Sequence, residues 1–102
     1  MEDIQSEEFS NILQTNKQDT FILDVREELE FHTFNVGGTN IPLGKMQKLL
    51  EDDDLEIPED KVIIVVCQRG IRSKTAKTLL NNFGFKNVRN LEGGLLKLQR
   101  IL

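Results

Sequence analysis

Lys61-Val62-Ile63-Ile64-Val65-Val66-Cys67-Gln68-Arg69-Gly70-Ile71-Arg72-Ser73-Lys74 is the stretch whose reading decides the fold. Its first half is a short run of β-branched residues, which reads as a buried strand. From Ser73 to Phe83, Ala76, Leu79, Leu80 and Phe83 recur at helical spacing, and Gly84 follows as a C-terminal stop. A strand that passes directly into a helix is the building unit of a parallel α/β sheet. The join holds Cys67, the only cysteine of the chain, followed by two arginines and a glycine.

The remaining segments extend this unit in both directions. Ser6 to Leu13 reads as a helix with Ser6 as N-cap, Glu7 and Glu8 in the first turn, and Phe9, Ile12 and Leu13 on one face. Thr20 to Val25 is a short buried strand and Glu27 to Phe31 a helical turn. Gly37-Gly38 forms a loop, Thr39 to Ile41 a strand stopped by Pro42, and Leu43, Met46, Leu49 and Leu50 mark another helix. Glu51 to Asp60 holds seven acids in ten residues and reads as a solvated loop, without the alternating ligands and turn glycine of a calcium site. Lys86 to Arg89 is a last strand, Gly93-Gly94 a break, and Leu95 to Leu102 a closing helix. The expected fold is α/β: one domain over residues 1–102, with a single open, mainly parallel five-stranded sheet and helices on both faces.

Composition narrows the function. The 102 residues fit one modest core, and a net charge of −4 argues against a nucleic-acid binder, which usually carries a basic face. The acidic start Met1-Glu2-Asp3 is unlike a secretory signal, and no apolar run reaches membrane-spanning length. A lone cysteine forms no internal disulfide, which suits a reducing cytoplasm, and one Cys with one His gives no structural zinc set. No metal and no organic cofactor is expected.

Ligands of such sheets bind beyond the carboxyl ends of the strands, where both Cys67 and the Asp24-Val25-Arg26 segment fall. Three features there would lower a thiol pKa. They are the positive end of a helix starting near Arg72 or Ser73, a nest of N–H groups from Gln68 to Ser73 with Gly70 at its bend, and the cations Arg69, Arg72, Lys74 and Lys77 with no acid between them. A lone Cys at the end of a buried strand is also commonly an inert small hydrophobe. The residues alone leave both readings open.

Cys67-x-x-Gly70-x-Arg72-Ser73 resembles the active-site loop of the rhodanese family of sulfurtransferases. Asp24-Val25-Arg26-Glu27, Asn40-Ile41-Pro42-Leu43 and Leu91-Glu92-Gly93-Gly94 resemble other segments of that family in order and spacing. Asn35-Val36-Gly37-Gly38 is similar to rhodanese domains fused behind adenylyltransferases and to free-standing bacterial relatives. Phe34 stands where the family often has His, Gln68 where Arg is frequent, and no Trp follows Gly94.

The resemblance implies a double displacement. The Cys67 thiolate takes the outer sulfur of a small anionic donor such as thiosulfate, or of a protein donor, and the resulting persulfide passes it to cyanide or a thiol. Gln68, Arg69, Gly70, Ile71, Arg72 and Ser73 would bind the substrate, with Arg69 and Arg72 neutralising its charge. Asp24 and Arg26 would form a buried ion pair supporting the loop, with substrate contact as the alternative. His32 reads as a solvated surface residue rather than a partner of the thiol. A sulfur carrier or interaction module without turnover is the alternative function. Phosphatases of this fold place five residues between Cys and Arg, whereas Cys67 and Arg72 enclose four.

Overall fold

The computed structural model describes residues 1–15 and 17–102. Its sheet has four strands: β1 (Thr20–Asp24), β2 (Thr39–Asn40), β3 (Val62–Val66) and β4 (Val88–Asn90). All pair in parallel, in the order β2-β1-β3-β4. The expected fifth strand is reduced to one parallel bridge, Ile4 to Leu91, because only Ile4 of the N-terminal segment runs alongside the end of β4 before the chain turns into helix.

Side chains of β3 alternate between the two faces, as the pleat requires. Ile63 and Val65 join Leu23, Met46, Leu50, Ala76 and Leu80 in one core. Ile64 and Val66 join Ile4, Phe9, Leu91, Leu95 and Leu98 in the other. The first core lies under α3 (Leu43–Glu51) and α4 (Ile71–Asn82), the second under α1 (Ser6–Thr15) and α5 (Gly94–Gln99). A short helix, α2 (Glu28–Thr33), lies in the chain between β1 and β2 and buries none of its residues. It owes its position to polar contacts described below.

Several boundaries differ from the sequence reading for local reasons. The helix after Cys67 starts at Ile71, two residues early, because Gly70 takes a left-handed conformation (φ 88°) that ends the loop abruptly. The last strand slides to Val88–Asn90, where its residues pair with Ile63, Ile64 and Val65. Ser6 is not the N-cap: Phe9 N–H donates to Gln5 O, and Ser6 is buried with its hydroxyl unpartnered among the described residues. The acidic loop is anchored by Ile57, which enters the first core, and by Leu55, which is partly buried against it.

Candidate active site

The four strands end on one edge, and a polar residue stands at or just beyond each end: Asp24, Asn40, Cys67 and Asn90. Cys67 follows Val66, which is in register with Asp24. Its side chain is buried in the floor of an open cavity of about 330 Å³ lined by Glu30, Cys67, Gln68, Arg69, Ile71 and Arg72.

The loop curls around the sulfur. Gly70 N–H donates to Cys67 Sγ at 3.1 Å and Ser73 N–H at 3.4 Å, while the Ser73 hydroxyl lies 3.3 Å away. Burial pushes the thiol pKa up. The Ser73 hydroxyl and the N–H groups of Ser73, Arg69 and Gly70 outweigh it and leave the pKa below its ordinary 9.0. The N–H groups of Gln68, Ile71 and Arg72 have no hydrogen-bond acceptor among the described residues. The loop thus curves as a set of N–H donors at the N-terminus of a twelve-residue helix, a shape suited to an anion.

Other elements hold the loop from behind. Leu95 N–H donates to Cys67 O at 2.9 Å and Leu96 N–H to Gln68 O at 3.0 Å, so the first turn of α5 binds the carbonyls on the far side of the loop. Gly94 makes this approach possible: a Cβ there would lie 2.5 Å from Gln68 O and 2.6 Å from Arg69 N. Asn90 supplies a second tie. It accepts a hydrogen bond from the Ser73 hydroxyl at Oδ1 and donates from Nδ2 to Gly70 O at 3.2 Å. Sequence reasoning passed over Asn90, whose only signal was its place one residue before the Leu91-Glu92-Gly93-Gly94 segment.

Asp24 and Arg26 form a buried ion pair, with Arg26 Nη2 2.8 Å from Asp24 Oδ2. The same guanidinium donates to Glu30 O at 3.3 Å and Phe34 O at 2.6 Å, which pins the end of α2 to the sheet. Neither Asp24 nor Arg26 lines the Cys67 cavity; their link to it passes through α2. Asn40 Nδ2 bonds both Asp24 O and Arg26 O. His32 sits on the exposed last turn of α2, 3.6 Å from Glu28, and does not line the Cys67 cavity.

The cation cluster requires a correction. Acids distant in sequence meet two of its four members. Glu30 receives Arg72 through two parallel bonds of 2.7 and 2.9 Å, and Asp3 receives Lys77 at 2.7 Å. Arg69 and Lys74, both exposed, pair with no carboxylate among the described residues. The local excess of positive charge is therefore smaller than the sequence suggested, and the N–H groups and Ser73 account for the lowered thiol pKa.

Residues 5–100 match the family model described as the rhodanese-like domain. The chain is 33% identical over 94 residues to the Schizosaccharomyces pombe protein named "Putative thiosulfate sulfurtransferase, mitochondrial", covering 81% of this chain and 66% of that one. It is 36% identical over 75 residues to the Bacillus subtilis protein named "Putative sulfur carrier protein YrkF", covering 72% and 38%. The human single-domain sulfurtransferase TSTD1 superposes with a TM-score of 0.81 at 23% identity, covering 96% of this chain and 95% of that chain. The chain belongs to the rhodanese-like domain family. It spans less than two thirds of the length of the curated relatives it matches, and no helix among the described residues is long and apolar enough to cross a membrane.

Proposed function

We propose that this domain is a sulfurtransferase that carries a sulfane sulfur as a persulfide on Cys67. The observation that carries the reading is the ring of N–H donors around Cys67 Sγ at the floor of an open cavity. In the first half-reaction the thiolate attacks the outer sulfur of thiosulfate or of a persulfide. A bond forms between Sγ and that sulfur, and the electron pair of the old bond leaves with sulfite or the donor thiolate. The persulfide anion extends into the concavity, where the free N–H groups of Gln68, Ile71 and Arg72 stabilise its charge. In the second half-reaction cyanide or a thiol takes the outer sulfur and restores the thiolate. Splitting the transfer this way gives ping-pong kinetics. Free thiol chemistry suits a reducing, cytoplasmic setting.

The decisive experiment is the intact mass after incubation with thiosulfate, with and without cyanide. A gain of one sulfur atom, mapped to Cys67, removed by cyanide and absent in Cys67→Ser, is the expected result. Absence of any gain from thiosulfate or persulfide donors refutes the reading. The similarity to a protein named as a sulfur carrier favours a second reading, in which the persulfide serves a dedicated protein partner. Rapid loading with slow release to cyanide and small thiols distinguishes it.

A further inference from the structure

The wall of the Cys67 cavity contains a carboxylate. Glu30 stands opposite the loop on α2 and receives both terminal nitrogens of Arg72, one on each oxygen. This planar, bidentate arrangement is the strong form of an arginine–carboxylate pair. Glu30 is not free to swing away. Its Oε1 accepts the Glu27 N–H at 3.0 Å, closing a capping box, and its carbonyl oxygen accepts a bond from the buried Arg26. Arg72 holds the Glu30 carboxyl at a pKa of about 2, so the charge persists at any working pH.

The charges facing the cavity nearly cancel: Arg69 and Arg72 are positive, Glu30 and the Cys67 thiolate negative. Thiosulfate is a dianion. To reach Cys67 it must bring two negative charges beside the thiolate, while of the two arginines lining the cavity Arg72 is already engaged by Glu30. A persulfide presents at most one negative charge at its transferable sulfur. The cavity also carries Ile71, which is 73% exposed and suits the carbon body of a donor better than a sulfonate.

Resting on the sulfurtransferase reading above, we infer that Glu30 is a specificity-determining residue that selects monoanionic sulfur donors of the persulfide type over dianionic thiosulfate. It acts through charge and through its hold on Arg72, and takes no part in bond making.

Methanethiosulfonate isolates the charge effect. It carries the same sulfane sulfur on a sulfonyl group as thiosulfate does, with one negative charge instead of two. Cys67 takes that sulfur and methanesulfinate departs with the electron pair, so both donors leave the same persulfide. The measurement is the loading rate of Cys67 with each donor by intact mass, with each rate divided by that of a small free thiol to remove intrinsic reactivity. In the wild-type protein the corrected preference for methanethiosulfonate is expected to be at least tenfold. In Glu30→Gln, which keeps the oxygen that caps Glu27, the preference is expected to shrink at least fivefold, mainly through a lower KM for thiosulfate.

A wild-type preference below twofold overturns the inference without any variant, so a folding defect in Glu30→Gln cannot shelter it. An unchanged preference in a folded Glu30→Gln overturns it as well. Loading by neither donor, with a thiol that still alkylates, overturns the sulfurtransferase reading and this inference together.

Discussion

Cys67 Sγ and Ser73 Oγ lie 3.3 Å apart, both buried, six residues apart on a loop and the helix it opens. Ser73 has one hydroxyl proton, and it is directed at Asn90 Oδ1. With the thiol protonated, the S–H donates to Ser73 Oγ; with the thiolate, the hydroxyl turns to the sulfur and releases Asn90. Ser73→Ala removes a hydrogen bond that favours the charged form of the sulfur, so the thiol pKa should rise. The chain has no Tyr and no Trp, so the ultraviolet absorbance of the thiolate can be titrated without phenolate overlap. A midpoint that stays in place or falls would sink the assignment.

Arg26 and Asp24 form a buried pair whose loss leaves a charge stranded. Arg26→Met should destabilise the domain by about 3–5 kcal/mol, read from urea unfolding, because Asp24 stays buried without its partner. The double variant Asp24→Asn with Arg26→Met should lose much less than the two single losses added. Additive losses would show that the pair is not the unit holding α2.

Gly94→Ala places a Cβ against Gln68 O and Arg69 N on a backbone with φ 63°. Left-handed strain alone costs about 1–3 kcal/mol, and relief requires the Cys67 loop to shift. Thermal unfolding should move down, by about 4–8 °C per kcal/mol for a domain of this size, and sulfur loading should fall with it. Gly84, which has open space around it, is the control: Gly84→Ala meets only its own backbone strain (φ 97°) and should leave loading unchanged. Equal loading losses in both would show that the contact with the loop is unimportant.

Acid should weaken the fold through Glu30. Its carboxyl titrates near 2 in the folded protein against 4.5 for the free side chain, so the unfolded chain binds more protons between those values. The stabilisation is fully present above about 4.5 and is lost as pH falls through about 2. Because the pair is more than a third exposed, the effect is modest and salt-sensitive. The urea midpoint of the wild type should drop more than that of Glu30→Gln between pH 5 and pH 2.5, with the difference shrinking in high salt. Parallel curves for the two proteins would contradict it.

What could be read from the sequence was what is local. The β-branched run into Cys67, the helical period after it and Gly70 between them all lie within one window, and together they place the thiol at a strand end. Asp24 and Arg26 were also legible as a pair, being two residues apart. The contacts that shape the cavity join distant segments. Glu30 and Arg72 are 42 residues apart, Ser73 and Asn90 17, Asp3 and Lys77 74. No period or spacing announces such pairs, and Glu30 lay unremarked within the Glu27 to Phe31 turn. Four unpaired cations were therefore expected where two are met by acids.

The two margins of the sheet have a consequence for how the protein keeps company with itself. At one margin β2 is only two residues long. At the other, Ile4 bridges Leu91, Arg89 reaches across to Glu2 O and Glu8, and Asp3 takes the Asn90 N–H. Neither side offers a long row of unsatisfied backbone groups to a neighbouring chain, which is the usual template for sheet-to-sheet aggregation. The N-terminal strap thus acts as a guard strip, and removing residues 1–4 should leave the flank of β4 open to neighbouring chains while the Cys67 loop's own sequence stays untouched.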